Sequence, residues 1–301
     1  MNNCCTLEEK IKYICEYEYK YFFNKANVIA VGLGYKVSNG FNTFKKCIKV
    51  LVGNKLPENN LNLNDIIPVC YKGLETDVVE SGYLRSIKLT KRIRPVLGGY
   101  CIGPAAKIGG GSMGCVVTDN HDNYILSCNH VLVGDNEVPI GSPILQPSIF
   151  DGGKSPKDIV GSLSEFVPIK AGGENYVDCA MARILNNKNV SPSIALVGNP
   201  RGVVKAKLHE DVKKVGKTTE LTTGKVTIVN ATAKIQIQGK ETVFKDQIGT
   251  TRMSDAGDSG SVLLNQHNYV LGLAVFDGEG ITVYNSFQRV LNSMHVLLVT
   301  H

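Results

Sequence analysis

Ser259 stands in the segment SDAGDSGSVLL, residues 254–264, with Gly257 and Asp258 before it and Gly260 after it. These residue types fit a reactive serine in a tight turn. A serine hydroxyl is unreactive near neutral pH unless a base takes its proton and donors stabilise the oxyanion that forms. The segment alone therefore fits either a nucleophile or the polar end of a turn that leads into a strand.

A histidine and a carboxylate earlier in the chain could complete the chemistry. His130 lies in the apolar, strand-like run YILSCNHVLV, and Asp178 opens the apolar run of VDCAMARI. Each has a plain structural alternative, a satisfied core histidine and a turn-capping aspartate. A buried carboxylate nevertheless needs a partner such as an imidazole N–H. The chain order His130, Asp178, Ser259 is one in which these residues form a nucleophilic triad, so we treat them together as candidate catalytic residues.

The same segments resemble a known family. LSCNH around His130, VDCAMARI around Asp178 and AGDSGS around Ser259 resemble the three signatures of trypsin-like serine peptidases. GLAVFDG resembles the strand that lines the substrate cleft of that family, and the likeness spans about residues 100–298. VGLGYKVSNG, IPVCYKGLETDV and VGKTTELTTGKV further resemble a subgroup of bacterial sequences and the plant narrow-leaf proteins, which carry a small region before the protease domain.

The resemblance implies a role for each candidate. His130 would be the general base, Asp178 would hold its tautomer, and the backbone N–H groups of Gly257 and Ser259 would form the oxyanion hole. One such donor is worth about 3 to 4 kcal/mol of barrier. Wall candidates for the specificity pocket follow from the same comparison: Met253, Ser254, Val275, Phe276 and Asp277.

One departure from the digestive enzymes concerns Asp258. In those enzymes, the aspartate before the serine pairs with a new N-terminus released by cleavage. RPVLGGY, residues 94–100, superficially resembles the segment after such a cleavage, but Pro95 makes the bond after Arg94 a poor substrate. We therefore expect no activation of this kind, and the sequence leaves the partner of Asp258 open.

Other chemistries fit the sequence less well. VGKTTE resembles the end of a phosphate-binding loop, but Asp211 stands where that motif needs glycine. Cys128 and His130, with Cys115 or Cys179, could bind zinc, yet the chain has no Cys-x-x-Cys pair. We expect neither a cofactor nor a metal.

The periodicity of the chain predicts the elements that position these residues. Thr6 and Glu9 have capping-box spacing and predict an amphipathic helix over residues 7–24. Two β-type runs then meet at SNGFN in a hairpin signal, NKLPENNLNLNDIIP predicts a loop, and GLETDVVESG a short connection. Beyond a basic stretch, short apolar runs with frequent turns predict β-barrels. NSFQRVLNSMHVLL predicts a final helix, capped by Asn285 or Ser286, with Val290, Leu291, Met294 and Leu298 on one face.

These elements predict a mainly β protein: a chymotrypsin-like double β-barrel with a C-terminal helix, preceded by a small α+β module. The expected boundaries are residues 1–84 for a regulatory or docking module, 85–95 for a basic linker and 96–301 for the protease domain.

The composition and charge of the chain limit the functions it can have. The chain has 301 residues, a formal net charge of +6, 31 glycines, no tryptophan and nine cysteines. This charge is too small to indicate a nucleic-acid partner. The first 23 residues interleave charged and apolar positions, so we expect neither a signal peptide nor a membrane span, and free thiols in the cytoplasm.

The sequence thus predicts a serine endopeptidase that acts on selected intracellular proteins. Two alternatives stay open. One is a silent or latent binding protein in which the triad persists and the oxyanion hole is collapsed. The other is a homo-oligomeric scaffold assembled through the N-terminal module.

Overall fold

The computed structural model describes residues 6–38, 40–82 and 89–301, and the chain forms two compact units, residues 1–86 and 87–301. The first unit contains α1 (Leu7–Tyr17), α2 (Tyr19–Phe23), β1 (Val28–Ser38), β2 (Phe41–Val52), β3 (Cys70–Tyr71) and β4 (Leu74–Glu80), with short 3-10 helices at Glu58–Asn60 and Leu63–Asp65.

The helical prediction for residues 7–24 is largely confirmed. Thr6 and Glu9 form the capping box, with the Thr6 N–H donating to the Glu9 carboxylate at 2.8 Å. The helix is interrupted at Glu18, which has φ −114° and ψ 11° and ends α1. Ile11, Ile14 and Phe22 pack on the sheet and form the core of this unit.

The sheet has the strand order β1-β2-β4-β3. β1 and β2 form the antiparallel hairpin predicted around SNGFN, whose residue 39 lies outside the described residues. The prediction of a mere connection for GLETDVVESG is wrong: Leu74–Glu80 is a strand, paired in parallel with β2. Parallel pairing joins segments that are distant in sequence, so no local turn signal reveals it.

Short strands dominate the second unit. They are β5 (Val96–Gly98), β6 (Cys101–Pro104), β7 (Gly111–Ser112), β8 (Cys115–Thr118), β9 (Asn123–Ser127), β10 (Pro143–Leu145), β11 (Ile159–Phe166), β12 (Glu174–Asn175), β13 (Ala180–Ile184), β14 (Val190–Ile194), β15 (Gly202–Val203), β16 (Asp211–Gly216), β17 (Glu220–Ile237), β18 (Lys240–Thr251), β19 (Val262–Asn265), β20 (Tyr269–Asp277), β21 (Ile281–Ser286) and β22 (Leu297–Leu298). The helices are α3 (Asn129–Leu132), a 3-10 turn at Asn187–Asn189, and α4 (Phe287–Met294).

These strands form two barrel-like sheets, which confirms the predicted fold class. The first sheet has the order β22-β8-β9-β13-β11-β10-β6-β7. The second has the order β12-β18-β17-β16-β19-β20-β15, and β21 pairs with both β18 and β20 and so links distant strands of that sheet. The largest buried apolar cluster contains residues of both sheets and of α4, and a smaller cluster lies within the second sheet.

The described part of the basic stretch belongs to the second unit. Leu89 is fully buried in its main core, and the Arg92 Nε donates to the Asp158 carboxylate at 2.7 Å. The Arg94 guanidinium donates to the Gln146 side chain at 2.6 Å. Residues 89–94 are therefore anchored on the first barrel through Leu89, Arg92 and Arg94, although Lys91 and Pro95 are exposed. Arg85 and Lys88 lie outside the described residues.

The final helix is shorter than predicted. α4 ends at Met294 with Ser286 as its N-cap, and it buries Val290, Leu291 and Met294. Leu298 lies in β22 instead, because His295 adopts a left-handed conformation that ends the helix. None of the helices in the described ranges has the length and apolar character needed to cross a bilayer.

Candidate active site

His130 lies on a short helix at the end of a strand. β9 ends at Ser127, and Asn129–Leu132 forms the single helical turn that carries the histidine. The sequence indicated a strand-like apolar run here, interrupted by small polar residues. The chain turns instead because the Asn129 side chain reaches backbone and side-chain oxygens in later loops, donating to the Val167 carbonyl at 2.8 Å and to Asn136 Oδ1 at 2.7 Å.

Asp178 is buried and faces this turn. The distance from His130 Nδ1 to Asp178 Oδ2 is 2.6 Å, and the other carboxylate oxygen accepts from the N–H of Asn129 at 2.7 Å and of His130 at 3.3 Å. The carboxylate side chain is 1% exposed and the imidazole 29% exposed. Because the carboxylate only accepts, Nδ1 carries the proton and Nε2 is left as a base.

The surroundings of His130 set its proton affinity. Burial acts to lower the pKa of His130, but the charge of Asp178 and its hydrogen bond outweigh burial, and Asp135 adds a smaller effect in the same direction. The pKa of His130 is therefore raised above its ordinary value of 6.5.

Two residues that the sequence analysis missed orient Asp178. The Asn285 side-chain oxygen accepts from the Asp178 N–H at 2.7 Å, and the Asn285 amide donates to Gln247 Oε1 at 2.7 Å. Both side chains are fully buried in the second barrel. The sequence analysis considered Asn285 only as a possible helix cap, and no motif indicated that it would bind the backbone of Asp178.

Ser259 lies in a turn held against the segment that carries His130. Its carbonyl accepts from the Ser112 N–H at 2.8 Å. The Cys128 thiol and the Gly260 N–H both donate to the Ala274 carbonyl, at 3.1 and 2.8 Å. One carbonyl of β20 thus fixes the residue after the serine and the residue two before the histidine. Within the described residues no hydrogen bond joins the Ser259 hydroxyl to the imidazole; in unliganded enzymes this contact is commonly long and shortens with substrate.

The turn before Ser259 directs its carbonyls away from the cleft. The Ala256 carbonyl accepts from Thr218 Oγ1 at 2.8 Å, and the Gly257 carbonyl from Ser112 Oγ at 3.0 Å. Among the described residues, the N–H groups of Gly257 and Ser259 make no hydrogen bond. Gly257 has φ +102°, and a Cβ there would lie 2.6 Å from Thr218 Oγ1, so only glycine fits. Two unengaged donors beside a serine can stabilise an oxyanion.

The partner of Asp258 is Lys214, a residue of β16. Their side chains are both 0% exposed, with 2.8 Å between Lys214 Nζ and Asp258 Oδ2. The Asp258 carboxylate also accepts from the N–H of Thr218 at 2.9 Å and from Thr219 Oγ1 at 2.6 Å. Burial acts to raise the pKa of Asp258, but the Lys214 charge and these hydrogen bonds hold the pKa below its ordinary value. The partner of Asp258, which the sequence analysis left open, is therefore a lysine from within the same chain.

The residues predicted to line the specificity pocket do not all line a single pocket. Met253 is buried in the core cluster of the second barrel, 3.9 Å from the Tyr284 hydroxyl. Ser254 Oγ lies 2.9 Å from the hydroxyl of the buried Thr282, which the sequence analysis missed. Phe276 lies at the cleft, because its ring centroid is 6.5 Å from that of His130. Val275 is buried in the core, and Asp277 is exposed at the end of β20.

The cysteine that could ligate zinc is held as a thiol. Ligand atoms of Cys128, His130 and Asp178 lie within 4.8 Å of one another. Cys128, however, donates to the Ala274 carbonyl, and burial raises the pKa of its thiol well above the ordinary range. The Cys128 thiol therefore has a partner in the fold, and the His130–Asp178 contact is a direct hydrogen bond between those two side chains.

The double barrel, the buried Asp178–His130 pair and the serine turn define the class of chymotrypsin-fold proteins. The sequence model of the Trypsin family matches residues 105–296, more than half of the chain. The chain belongs to the trypsin family, as the signatures predicted, and its fold is that of a serine peptidase hydrolase. The family match does not single out the narrow-leaf subgroup.

Solved structures share this fold. Thermobifida fusca protease A is 20% identical with a TM-score of 0.51, covering 68% of this chain and 98% of its own. A glutamic-acid-specific serine protease, described as using a histidine triad in substrate binding, is 21% identical with a TM-score of 0.53, covering 68% and 100%. Cellulomonas bogoriensis chymotrypsin is 19% identical with a TM-score of 0.50, covering 68% and 99%. A search of curated proteins finds no match.

Proposed function

We propose that this chain is a serine endopeptidase that cleaves peptide bonds through Ser259, His130 and Asp178. The observation that carries the proposal is the buried 2.6 Å contact between Asp178 and His130, beside a serine turn with two unengaged N–H donors. These are the groups that acyl transfer needs: a base with a fixed tautomer, a hydroxyl and an oxyanion site.

We infer the reaction from the chemistry of these groups. Ser259 Oγ attacks the scissile carbonyl while its proton moves to His130 Nε2, and the carbonyl oxygen takes the negative charge between the N–H groups of Gly257 and Ser259. When the C–N bond breaks, His130 returns the proton to the leaving amine, and Ser259 holds the acyl group as an ester. A water molecule then attacks the ester, again with His130 as base, and releases the acid.

The alternative, a silent protein with a collapsed oxyanion hole, has less support. In a collapsed hole, the Ala256 carbonyl would turn toward the Ser259 N–H. Here that carbonyl accepts from Thr218 instead. The buried Lys214–Asp258 pair supports the open arrangement without a free chain terminus.

We further propose that the enzyme acts on selected intracellular proteins. The seven cysteines in the described ranges are all unpaired, which suits a reducing compartment. Residues 1–84 would regulate access or recruit the target, since the first unit has a core and a sheet of its own. A chain lacking residues 1–84 that keeps the same target choice and activity would remove this support.

Labelling with a fluorophosphonate probe tests the activity. We expect the wild-type chain to be labelled, and the variants Ser259→Ala and His130→Ala not to be. Cys128→Ala is the matched control in the same loop and should keep labelling. A wild-type chain that is not labelled would favour the silent protein, and loss of labelling in Cys128→Ala would favour a metal site. Cleavage of a peptide library then gives the substrate preference.

A further inference from the structure

Thr218 directs one peptide of the serine turn. Its hydroxyl donates to the Ala256 carbonyl at 2.8 Å. In a trans peptide the C=O and the following N–H point in opposite directions. The bond to Thr218 therefore fixes the direction of the Gly257 N–H, one of the two candidate oxyanion donors.

This peptide needs an outside restraint because it ends in glycine. Gly257 has φ +102°, and glycine reaches such conformations about as easily as their mirror images. A rotation of the Ala256–Gly257 peptide would turn its carbonyl toward the Ser259 N–H, three residues on, as in an ordinary β-turn. That state would remove both donors at once, since one N–H turns away and the other is occupied.

Thr218 is itself held by the buried ion pair. Its N–H donates to Asp258 Oδ1 at 2.9 Å, and the Thr219 N–H donates to the same oxygen at 3.2 Å. The residue before it is also anchored, since the Lys217 N–H donates to Ser112 Oγ at 2.9 Å. The hydroxyl of Thr218 thus connects the Lys214–Asp258 pair to the peptide that carries the oxyanion donor.

We propose that Thr218 is a positioning residue for the oxyanion hole, whose hydroxyl holds the Ala256–Gly257 peptide in the orientation that presents the Gly257 N–H to substrate. The inference rests on the proposed function, and it names a residue that neither the triad nor the family signatures contain. A single neutral hydrogen bond is worth about a 3- to 10-fold change in an equilibrium. Loss of the hydroxyl should lower the rate of serine acylation or phosphonylation by about that factor.

The variants Thr218→Val and Thr218→Ser separate the hydroxyl from the shape of the side chain. Valine keeps the shape and removes the donor, whereas serine keeps the donor. Thr227→Val is the matched control. Thr227, on β17, is exposed like Thr218, and its hydroxyl likewise donates to a backbone carbonyl, that of Gly249, at 3.2 Å.

The measurement is the saturation kinetics of fluorophosphonate labelling, with the maximal rate and the half-saturating concentration determined separately. We expect Thr218→Val to lower the maximal rate about 3- to 10-fold with an unchanged half-saturating concentration and melting temperature. Thr218→Ser and Thr227→Val should label like the wild type. A Thr218→Val variant with the wild-type maximal rate, or with its loss confined to the half-saturating concentration, would overturn the inference.

A second readout does not depend on activity. Crystal structures of Thr218→Val and Thr218→Ser should show a rotated Ala256–Gly257 peptide in the first and the present orientation in the second. The same orientation in both would overturn the inference. Because wild-type and Ser259→Ala labelling tests the proposed function by itself, failure of the two ideas can be told apart.

Discussion

Replacement of Lys214 by methionine tests how the serine turn is held. Both members of the Lys214–Asp258 pair are 0% exposed. Breaking a buried pair by removing one partner costs about 3 to 5 kcal/mol, since an uncompensated charge stays in the interior. The Asp258 carboxylate would keep the N–H groups of Thr218, Thr219 and Asp255 and the Thr219 hydroxyl. We therefore expect a loss near the lower end, about 3 kcal/mol.

Urea unfolding measures this loss, and Lys225→Met provides the control. Lys225 lies on β17 and pairs with Asp211 of β16, but the two side chains are 57% and 58% exposed. An exposed pair contributes about 0 to 1 kcal/mol. Lys214→Met should thus lower the free energy of unfolding several times more than Lys225→Met does. Lys214→Arg keeps the charge and should fall between the two.

The same change should slow the chemistry. Without the ammonium, the Asp258 carboxylate keeps its bonds to Thr218 and Thr219 but loses the cation that fixes it in the interior, so the Thr218–Thr219 turn and the oxyanion donors that it supports are held less firmly. Complete loss of one oxyanion donor lowers the rate on the order of 100-fold or more, and loss of the Thr218 hydrogen bond alone lowers it about 3- to 10-fold. Fluorophosphonate labelling of Lys214→Met should slow by a factor between these two limits. Lys225→Met should label at the wild-type rate.

Acid should act differently on the two chains. In the wild type the pKa of Asp258 lies below its ordinary value of 3.8, so this carboxylate contributes stability above that pH and loses it as the pH falls through the lowered pKa. In Lys214→Met, the charge and hydrogen bond of Lys214 no longer lower the pKa of Asp258, so this pKa should rise relative to the wild type and the loss of stability in acid should begin at a higher pH. If Lys214→Met unfolds within 1 kcal/mol of the wild type and labels at the wild-type rate, the role given to the pair is refuted.

Two further predictions concern the histidine and the glycine after the serine. Asp135→Asn removes a charge that raises the pKa of His130, so the imidazole becomes neutral at a lower pH and the rise of labelling with pH should shift to lower pH. Glu137→Gln is the control and should cause no shift. An upward shift in Asp135→Asn would contradict the role of His130 as the base. Gly260 has φ +88°, and a Cβ at this position would lie 2.1 Å from Ser127 Oγ. Gly260→Ala should therefore lower the free energy of unfolding, measured by urea denaturation, by about 3 kcal/mol. Gly278→Ala, whose Cβ would meet its nearest atom at 3.5 Å, should change it by about 0.5 kcal/mol or less, and equal effects would show that the contact is not tight.

The fold could be predicted because short signatures carry it, and the same signatures single out the three candidate residues, whose roles stay a prediction. The serine turn needs glycines that a sequence displays directly, and the triad order is visible along the chain. β4 could not be predicted, because its partner β2 lies far away in sequence and the pairing is parallel. The turn at His130 was also missed, since Asn129 ends the strand through bonds to distant loops.

The role of Lys214 could not be predicted from the sequence either. In the sequence, DVKKVG places two lysines side by side in a strand, and nothing marks which one turns inward. Successive side chains of a strand point to opposite faces, so one of the pair must face the interior, but only the packing of β16 decides which. The structure buries Lys214 on Asp258 and leaves Lys213 to reach the Gln266 carbonyl at 3.4 Å.

The position of Lys214 bears on the expectation that cleavage within residues 94–100 does not activate this chain. In an enzyme activated by a new N-terminus, the cation that pairs with the aspartate before the serine must arrive from a cut chain end. Here the Arg94 side chain is fixed on the first barrel through Gln146, and Val96, two residues on, is buried. The cation on Asp258 comes instead from β16, a strand of the same barrel as the serine turn. The turn therefore has its cation as soon as the second barrel folds, with no need for a chain end to reach it.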